Sequence, residues 1–173
     1  PYVVTIGRAS WVKGTWETIS MLTDSGLSLA LVGGGEEESI DSLIKHAKSS
    51  KVGIWVAPRL ESSELCSLIR GAVAVVSMAH SEPFGLTPIE AQSLGTPALF
   101  VDEGGFRETI TDGVSGRLLP RDDYSAWHAA LEEAKDIHNR SLWSENGRVS
   151  ISKMGLNPEV FSTRLEEIFL NLE

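Results

Sequence analysis

The chain has 173 residues, 42% of them apolar and 23% charged, and a formal net charge of −9. That length suits one domain with a real hydrophobic core, and so acidic a balance argues against a nucleic-acid surface, which would be basic. A single cysteine excludes an internal disulfide framework and fits a reducing compartment. Four scattered histidines beside it offer no metal-ligand spacing. No apolar run approaches the ~20 residues that a membrane span needs. The chain opens on a strand-like run, so no secretory leader is expected, and the reading places it in the cytoplasm or at the cytoplasmic face of a membrane.

Residues 2–6, Tyr-Val-Val-Thr-Ile, read as the first strand, and Gly7 ends it. Gly7-Arg8 and Lys13-Gly14 then bound a loop that leads into a helix over 15–23. A phosphate site wants a forked guanidinium plus a compact point charge, and Arg8 and Lys13 offer that pair at a strand's C-terminal end. Taken alone, the same two residues also read as solvated loop charge. Residues 27–32 form the second strand and run into Gly33-Gly34-Gly35. Glu36, Glu37 and Glu38 follow, and three acids would repel a pyrophosphate, which excludes the dinucleotide fingerprint. They suit instead the positive end of the next helix dipole. That helix carries Ile40, Leu43, Ile44 and Ala47 on one face, which is expected in the core.

The third strand is expected over 52–56, followed by the loop Ala57-Pro58-Arg59-Leu60 and a helix over 62–70. The planar head of Arg59 could stack on a base or stay solvated. Cys66, among Leu65, Leu68 and Ile69, is expected to be a small core residue. The run over 72–76 is short and β-branched enough to be a buried strand. Pro83 biases Glu82 toward an extended backbone in the loop that follows. Thr87-Pro88-Ile89-Glu90 spells a helix start, with threonine as N-cap and glutamate closing a capping box. Gly95 supplies a left-handed stop and Thr96-Pro97 prevents continuation. Free amides over 84–89 would make an anion-binding rim beside the strand ends. By pattern alone, Glu90 is a cap, Glu82 a solvated acid and His80 a structural or solvated histidine.

The fifth strand is expected over 98–101. Gly104-Gly105-Phe106-Arg107-Glu108 and Asp112-Gly113-Val114-Ser115-Gly116 then supply turn geometry, their role mostly architectural. A short strand follows over 116–119, and Asp122 or Asp123 caps a helix that buries Trp127, Ala130, Leu131 and Ala134. A polar helix over 141–152 and a last helix over 158–172 complete the chain. The last one puts Phe161, Leu165, Ile168, Phe169 and Leu172 on one face.

Glu82-Pro-Phe-Gly-Leu-Thr-Pro-Ile-Glu90-Ala, followed by Leu-Gly-Thr-Pro, resembles the Glu-seven-residues-Glu signature of the group-one retaining glycosyltransferases. Gly7-Arg8-x-x-x-x-Lys13-Gly14, the Gly33–Gly35 turn, Gly-Gly-x-x-Glu and Asp-Gly-x-x-Gly are similar to further elements of the same family, in the same order. The resemblance spans residues 2–172. It implies a Rossmann-like, doubly wound parallel α/β sheet of about six strands with helices on both faces, the donor-binding C-terminal half of a GT-B fold. It also implies that Arg8 and Lys13 hold the diphosphate of a nucleotide-sugar donor, helped by amides near Leu86 and Thr87. Glu82 would bond hydroxyls of the donor sugar and Glu90 the nucleotide ribose, with Gly7, Gly33, Arg59, Phe84 and Gly85 completing the donor site.

On this resemblance no metal or cofactor is required, and retention is attributed to front-face attack with the diphosphate as base. The donor would be a UDP-, GDP- or other nucleotide-sugar. The acceptor, a sugar or glycolipid, would be met through an N-terminal domain that these residues do not include. The chain departs from the family at Pro58-Arg59-Leu60, where Gly-x-Val is usual, and at Met78-Ala79, where Pro-Ser is usual. The expectation is a donor domain that binds without metal and transfers nothing by itself. A GT-B sugar-nucleotide epimerase is the alternative enzyme. A non-catalytic GT-B-like module is the alternative of another class, although it would have no need of Arg8, Lys13, Glu82 and Glu90 together.

Overall fold

Strands that are apolar on both faces belong in a sheet covered on both sides, and the four central strands of this chain are of that kind. In the computed structural model, which describes residues 1–170, β1 is Tyr2–Ile6. The others are β2 (Ser28–Val32), β3 (Ile54–Ala57), β4 (Val75–Ser77), β5 (Ala98–Val101) and β6 (Arg117–Leu119). All pair in parallel, in the order β3-β2-β1-β4-β5-β6. The fold is thus a doubly wound α/β sheet. After β3 the chain returns past β1 to lay β4 on its other side, in register Val4 with Val75. The loops that follow β1 and β4 part at this reversal, and the crevice lies over the strands' carboxyl ends.

The helices are α1 (Thr15–Met21), α2 (Glu37–Ser49), α3 (Ser62–Gly71), α4 (Leu86–Ser93), α5 (Phe106–Thr109), α6 (Tyr124–Lys135), α7 (Ile137–Met154) and α8 (Pro158–Leu170). In α6, Trp127, Ala130, Leu131 and Ala134 are buried as their spacing predicts, and the Asp123 side chain caps the helix on the Ala126 amide. Each large apolar side chain so buried contributes about 1.5–3 kcal/mol. Helix α7 begins earlier and ends later than its polar composition suggested, because Asp136 accepts hydrogen bonds from the His138 and Asn139 amides. It packs against the back of α4, where Gly147 meets the Gln92 side chain so closely that a methyl group would lie 3.0 Å away.

Several expectations are corrected. Residues 11–13 form a 3₁₀ turn rather than plain loop, closed by Gly14 in the left-handed region. Strand β4 runs 75–77 rather than 72–76, although the Val73 amide donates to the Tyr2 carbonyl and the Ala74 carbonyl accepts from the Val4 amide just before it. Ile44 is exposed although Leu43 and Ala47 are buried, so the apolar face of α2 is narrower than its pattern. Cys66 is half-buried rather than core. Phe161, Leu165, Ile168 and Phe169 are all exposed on α8, and Leu172 lies outside the described residues. Among those residues no helix is long and apolar enough to cross a membrane.

Candidate donor site at the sheet reversal

The loop after β1 is held by glycines. Gly7 donates to the Val32 carbonyl at 2.8 Å, and a Cβ on Gly33 would stand 2.6 Å from the Gly7 oxygen. Gly33 itself has φ 136°, a region that costs L-residues free energy and glycine almost none. With its backbone seated this way, the loop presents Arg8 and Lys13 above the crevice. Across the gap, Gly105 donates to the Glu82 carbonyl at 2.8 Å, and a Cβ on Gly104 would come within 2.6 Å of that oxygen. The two glycines therefore seat Glu82 from below. The architectural role expected of the Gly-Gly-x-x-Glu element is located here.

Lys13 Nζ and Glu82 Oε2 meet at 2.8 Å across the reversal. The pair borders a cavity of about 300 Å³ lined also by Phe84, Gly85, Leu86, Thr87 and the ends of β1 and β4. Lys13 borders a second cavity too, of about 410 Å³, which brings in Arg8, Gly35 and Glu36. The structure thus gathers Lys13, Glu82, Phe84, Gly85, Leu86 and Thr87 at one place and Arg8 beside it. Arg59 stands exposed on the loop after β3 and lines neither cavity. Glu90 is exposed on α4 and lines neither.

The start of α4 differs from expectation. Gly85, not Thr87, is the N-cap, at φ 90°, and no side chain caps the helix. A glycine can turn the chain two residues early because it tolerates this left-handed dihedral. Pro88 then falls at the third helical position, where a missing N–H costs no helical bond. The capping box of Thr87 and Glu90 does not form. Leu86 and Thr87 accordingly line the 300 Å³ cavity at an uncapped helix N-terminus, where the dipole favours an anion. Freed from capping, the Glu90 carboxyl has its pKa raised, because the surrounding protein strips it of water even though the residue as a whole is exposed.

The family model for glycosyl transferases group 1 matches residues 1–150. The chain belongs to that family. A glycogen synthase from Mycobacterium tuberculosis is 31% identical over 138 residues, 76% of this chain and 33% of its own length. A D-inositol 3-phosphate glycosyltransferase from Frankia alni is 37% identical over 113 residues, 62% of this chain and 28% of its own length. The chain thus spans a third or less of these curated relatives. Among solved structures, sucrose-phosphate synthase from Thermosynechococcus elongatus superposes with a TM-score of 0.83 at 23% identity, covering 99% of this chain and 45% of its own. Anabaena HepE in complex with UDP gives 0.80 at 18% identity over 98% of this chain and 49% of its own. These likenesses establish a GT-B-type fold.

Around the site, this group 1 domain brings His80 together with Arg121 and Glu103, two groups that sequence reasoning did not single out. His80, read as a structural or solvated histidine, stacks on Trp11 with ring centroids 4.3 Å apart. Its Nε2 lies 3.0 Å from Glu17 Oε1 and 3.3 Å from Arg121, so this one nitrogen serves one of the two at a time. Its amide donates to the Val12 carbonyl at 2.8 Å, tying the loop after β4 to the loop after β1. Arg121 also donates to both carboxylate oxygens of Glu103, at 2.9 and 2.7 Å, and that hydrogen bonding holds the Glu103 carboxyl below the usual carboxylate range. The available signal was positional: Arg121 and Glu103 follow strand C-termini, the edge where open parallel sheets place ligand sites. Among the described residues, no cluster of three or more His, Cys, Asp or Glu side chains is arranged for a metal ion.

Proposed function

We propose that this domain binds a nucleotide-diphosphate sugar in the crevice between the loops after β1 and β4, as the donor half of a longer retaining glycosyltransferase. The observation that carries the reading is the Lys13–Glu82 pair at 2.8 Å over the sheet reversal, beside the uncapped end of α4. A diphosphate entering there would compete with Glu82 for Lys13 and add Arg8 and the Leu86 and Thr87 amides as further partners. Glu82, released, would accept hydrogen bonds from hydroxyls of the sugar, being acceptor-only when ionised. Stabilising a leaving diphosphate by fixed cations and amides is electrostatic catalysis that needs no proton bookkeeping. On this reading the cations and amides stand in for a metal, and the site works without one.

Glu90, one turn into α4, would serve the ribose, and Arg59 the base. UDP in the complex of HepE and the sugar-transferring names of the relatives support a nucleotide-sugar donor. The acceptor would be a sugar or glycolipid held by a domain outside these residues, so the isolated chain binds donor and transfers nothing. Rate enhancement depends on an enclosed, positioned acceptor that this half does not supply. A thermal-shift screen against UDP-, GDP-, ADP- and TDP-sugars tests the reading, because a ligand of the native state raises its stability by RT ln(1 + [L]/Kd). One class of nucleotide sugar should raise the melting temperature in EDTA. No shift with any of them at millimolar concentration contradicts the proposal.

A further inference from the structure

We propose that Arg121, on the segment between β6 and α6, is a positioning residue of this site: its guanidinium ties the loops after β4 and β5 together and so fixes Glu82 opposite Lys13. The inference rests on the donor-site reading for its functional part and on geometry alone for its structural part. Arg121 donates to the Met78 carbonyl at 2.6 Å and the Ala79 carbonyl at 3.3 Å. Both residues are buried, at 0% and 2% exposure, and lie beyond the last ladder residue of β4. Buried carbonyls past a strand end need partners, and Arg121 supplies them with charge-assisted bonds. The same guanidinium forks onto Glu103.

Both attachments converge on Glu82. Ala79 precedes it by three residues in the same loop, and Glu103 immediately precedes Gly104-Gly105, the pair that seats the Glu82 carbonyl. Between them, His80 bonds the Val12 carbonyl, next to Lys13. Arg121 therefore ties the loop after β4 to the Glu103 side chain of the loop after β5, and the first of these is in turn bonded through His80 to the loop that carries Lys13. Lysine cannot replace it, because a single ammonium has no planar fork to span a carboxylate and two carbonyls at once. Arg121 touches neither cavity of the candidate site, so its effect is on the placement of Glu82 and not on contact with donor.

Amide hydrogen exchange without any nucleotide tests the structural part. In Arg121→Met, the His80 and Gly105 amides should exchange at least tenfold faster while the β1–β2 ladder keeps its protection. Arg121→Lys should behave like the methionine variant, and it provides the reading if Arg121→Met does not fold. Unchanged protection at His80 and Gly105, or full rescue by lysine, overturns the tie. Calorimetry with UDP-glucose and UDP as probes tests the functional part. Arg121→Met should lose at least fivefold in UDP-glucose affinity and change UDP affinity less than twofold. Added to Glu82→Gln it should weaken UDP-glucose binding no further. Additive losses would show that Arg121 does not act through Glu82. If the unsubstituted chain binds no nucleotide sugar, the donor reading fails, and the exchange experiment still decides whether Arg121 holds the loops.

Discussion

At the scale of single residues, Lys13 and Glu82 separate a stabilising role from a binding one. The pair is part-exposed, with side chains at 40% and 24%, and ion pairs of that exposure contribute about 0–1 kcal/mol. Lys13→Ala should therefore cost less than about 1 kcal/mol of stability by chemical denaturation. Nucleoside-diphosphate binding should weaken by about 1.5–3 kcal/mol in Lys13→Ala and in Arg8→Ala, as for a lost charged hydrogen bond. Equal diphosphate affinity in all three proteins would remove both cations from the site. Two carboxyls give opposite pH signatures. Arg121 lowers the pKa of Glu103, so that stabilisation is present at neutral pH and lost as pH falls through the lowered pKa. Burial raises the pKa of Glu90, so ionising it disfavours the folded state and stability falls as pH rises through that raised value. Glu103→Gln should flatten the acid side of a melting-temperature profile, and Glu90→Gln should leave the melting temperature at pH 7 equal or higher. A lower melting temperature in Glu90→Gln would show that the ionised Glu90 carboxylate stabilises the fold and is not penalised by burial. If Glu90 serves the ribose, nucleotide affinity falls in the same variant.

At the scale of elements, apolar runs and glycines made most of the architecture legible. Residues 2–6, 98–101 and the buried stripe of α6 were readable because burial on both faces or at helical spacing leaves an unmistakable apolar pattern. The start of α4 was misread because Thr-Pro-Ile-Glu satisfies a local rule while Gly85 satisfies an earlier one, and packing of Gly85 against Phe106 chooses between them. The loop residues Lys13 and Glu82 could be found by motif. Arg121 could not, because its bonds to the Met78 and Ala79 carbonyls join positions more than forty residues apart that no local pattern links. Gly14 tests the same loop from its backbone. Its φ is 62°, and a Cβ there would stand 1.9 Å from the Met78 carbonyl oxygen. Gly14→Ala should destabilise the chain by about 2–4 kcal/mol, summing overpacking and left-handed strain. A loss below about 1 kcal/mol would mean that the two loops are less tightly apposed than described.

At the scale of the whole molecule, six parallel strands and their helices form a complete core, while α8 holds an apolar face in solvent. Phe161 and Ile168 are 64% and 58% exposed, so replacing both with serine should shift stability by no more than about 0.5 kcal/mol per site. A larger loss would mean that α8 packs on the sheet in solution. The crevice at the reversal, by contrast, is built from both halves of the sheet, and the central claim is that it receives the donor. Amide shift mapping by NMR tests this most directly, with UDP-glucose and GDP-mannose titrated into the isotopically labelled chain in EDTA. One of them should shift residues 7–14 and 82–87 and leave α8 unmoved; shifts confined elsewhere, or appearing only when a divalent metal is restored, would contradict the account.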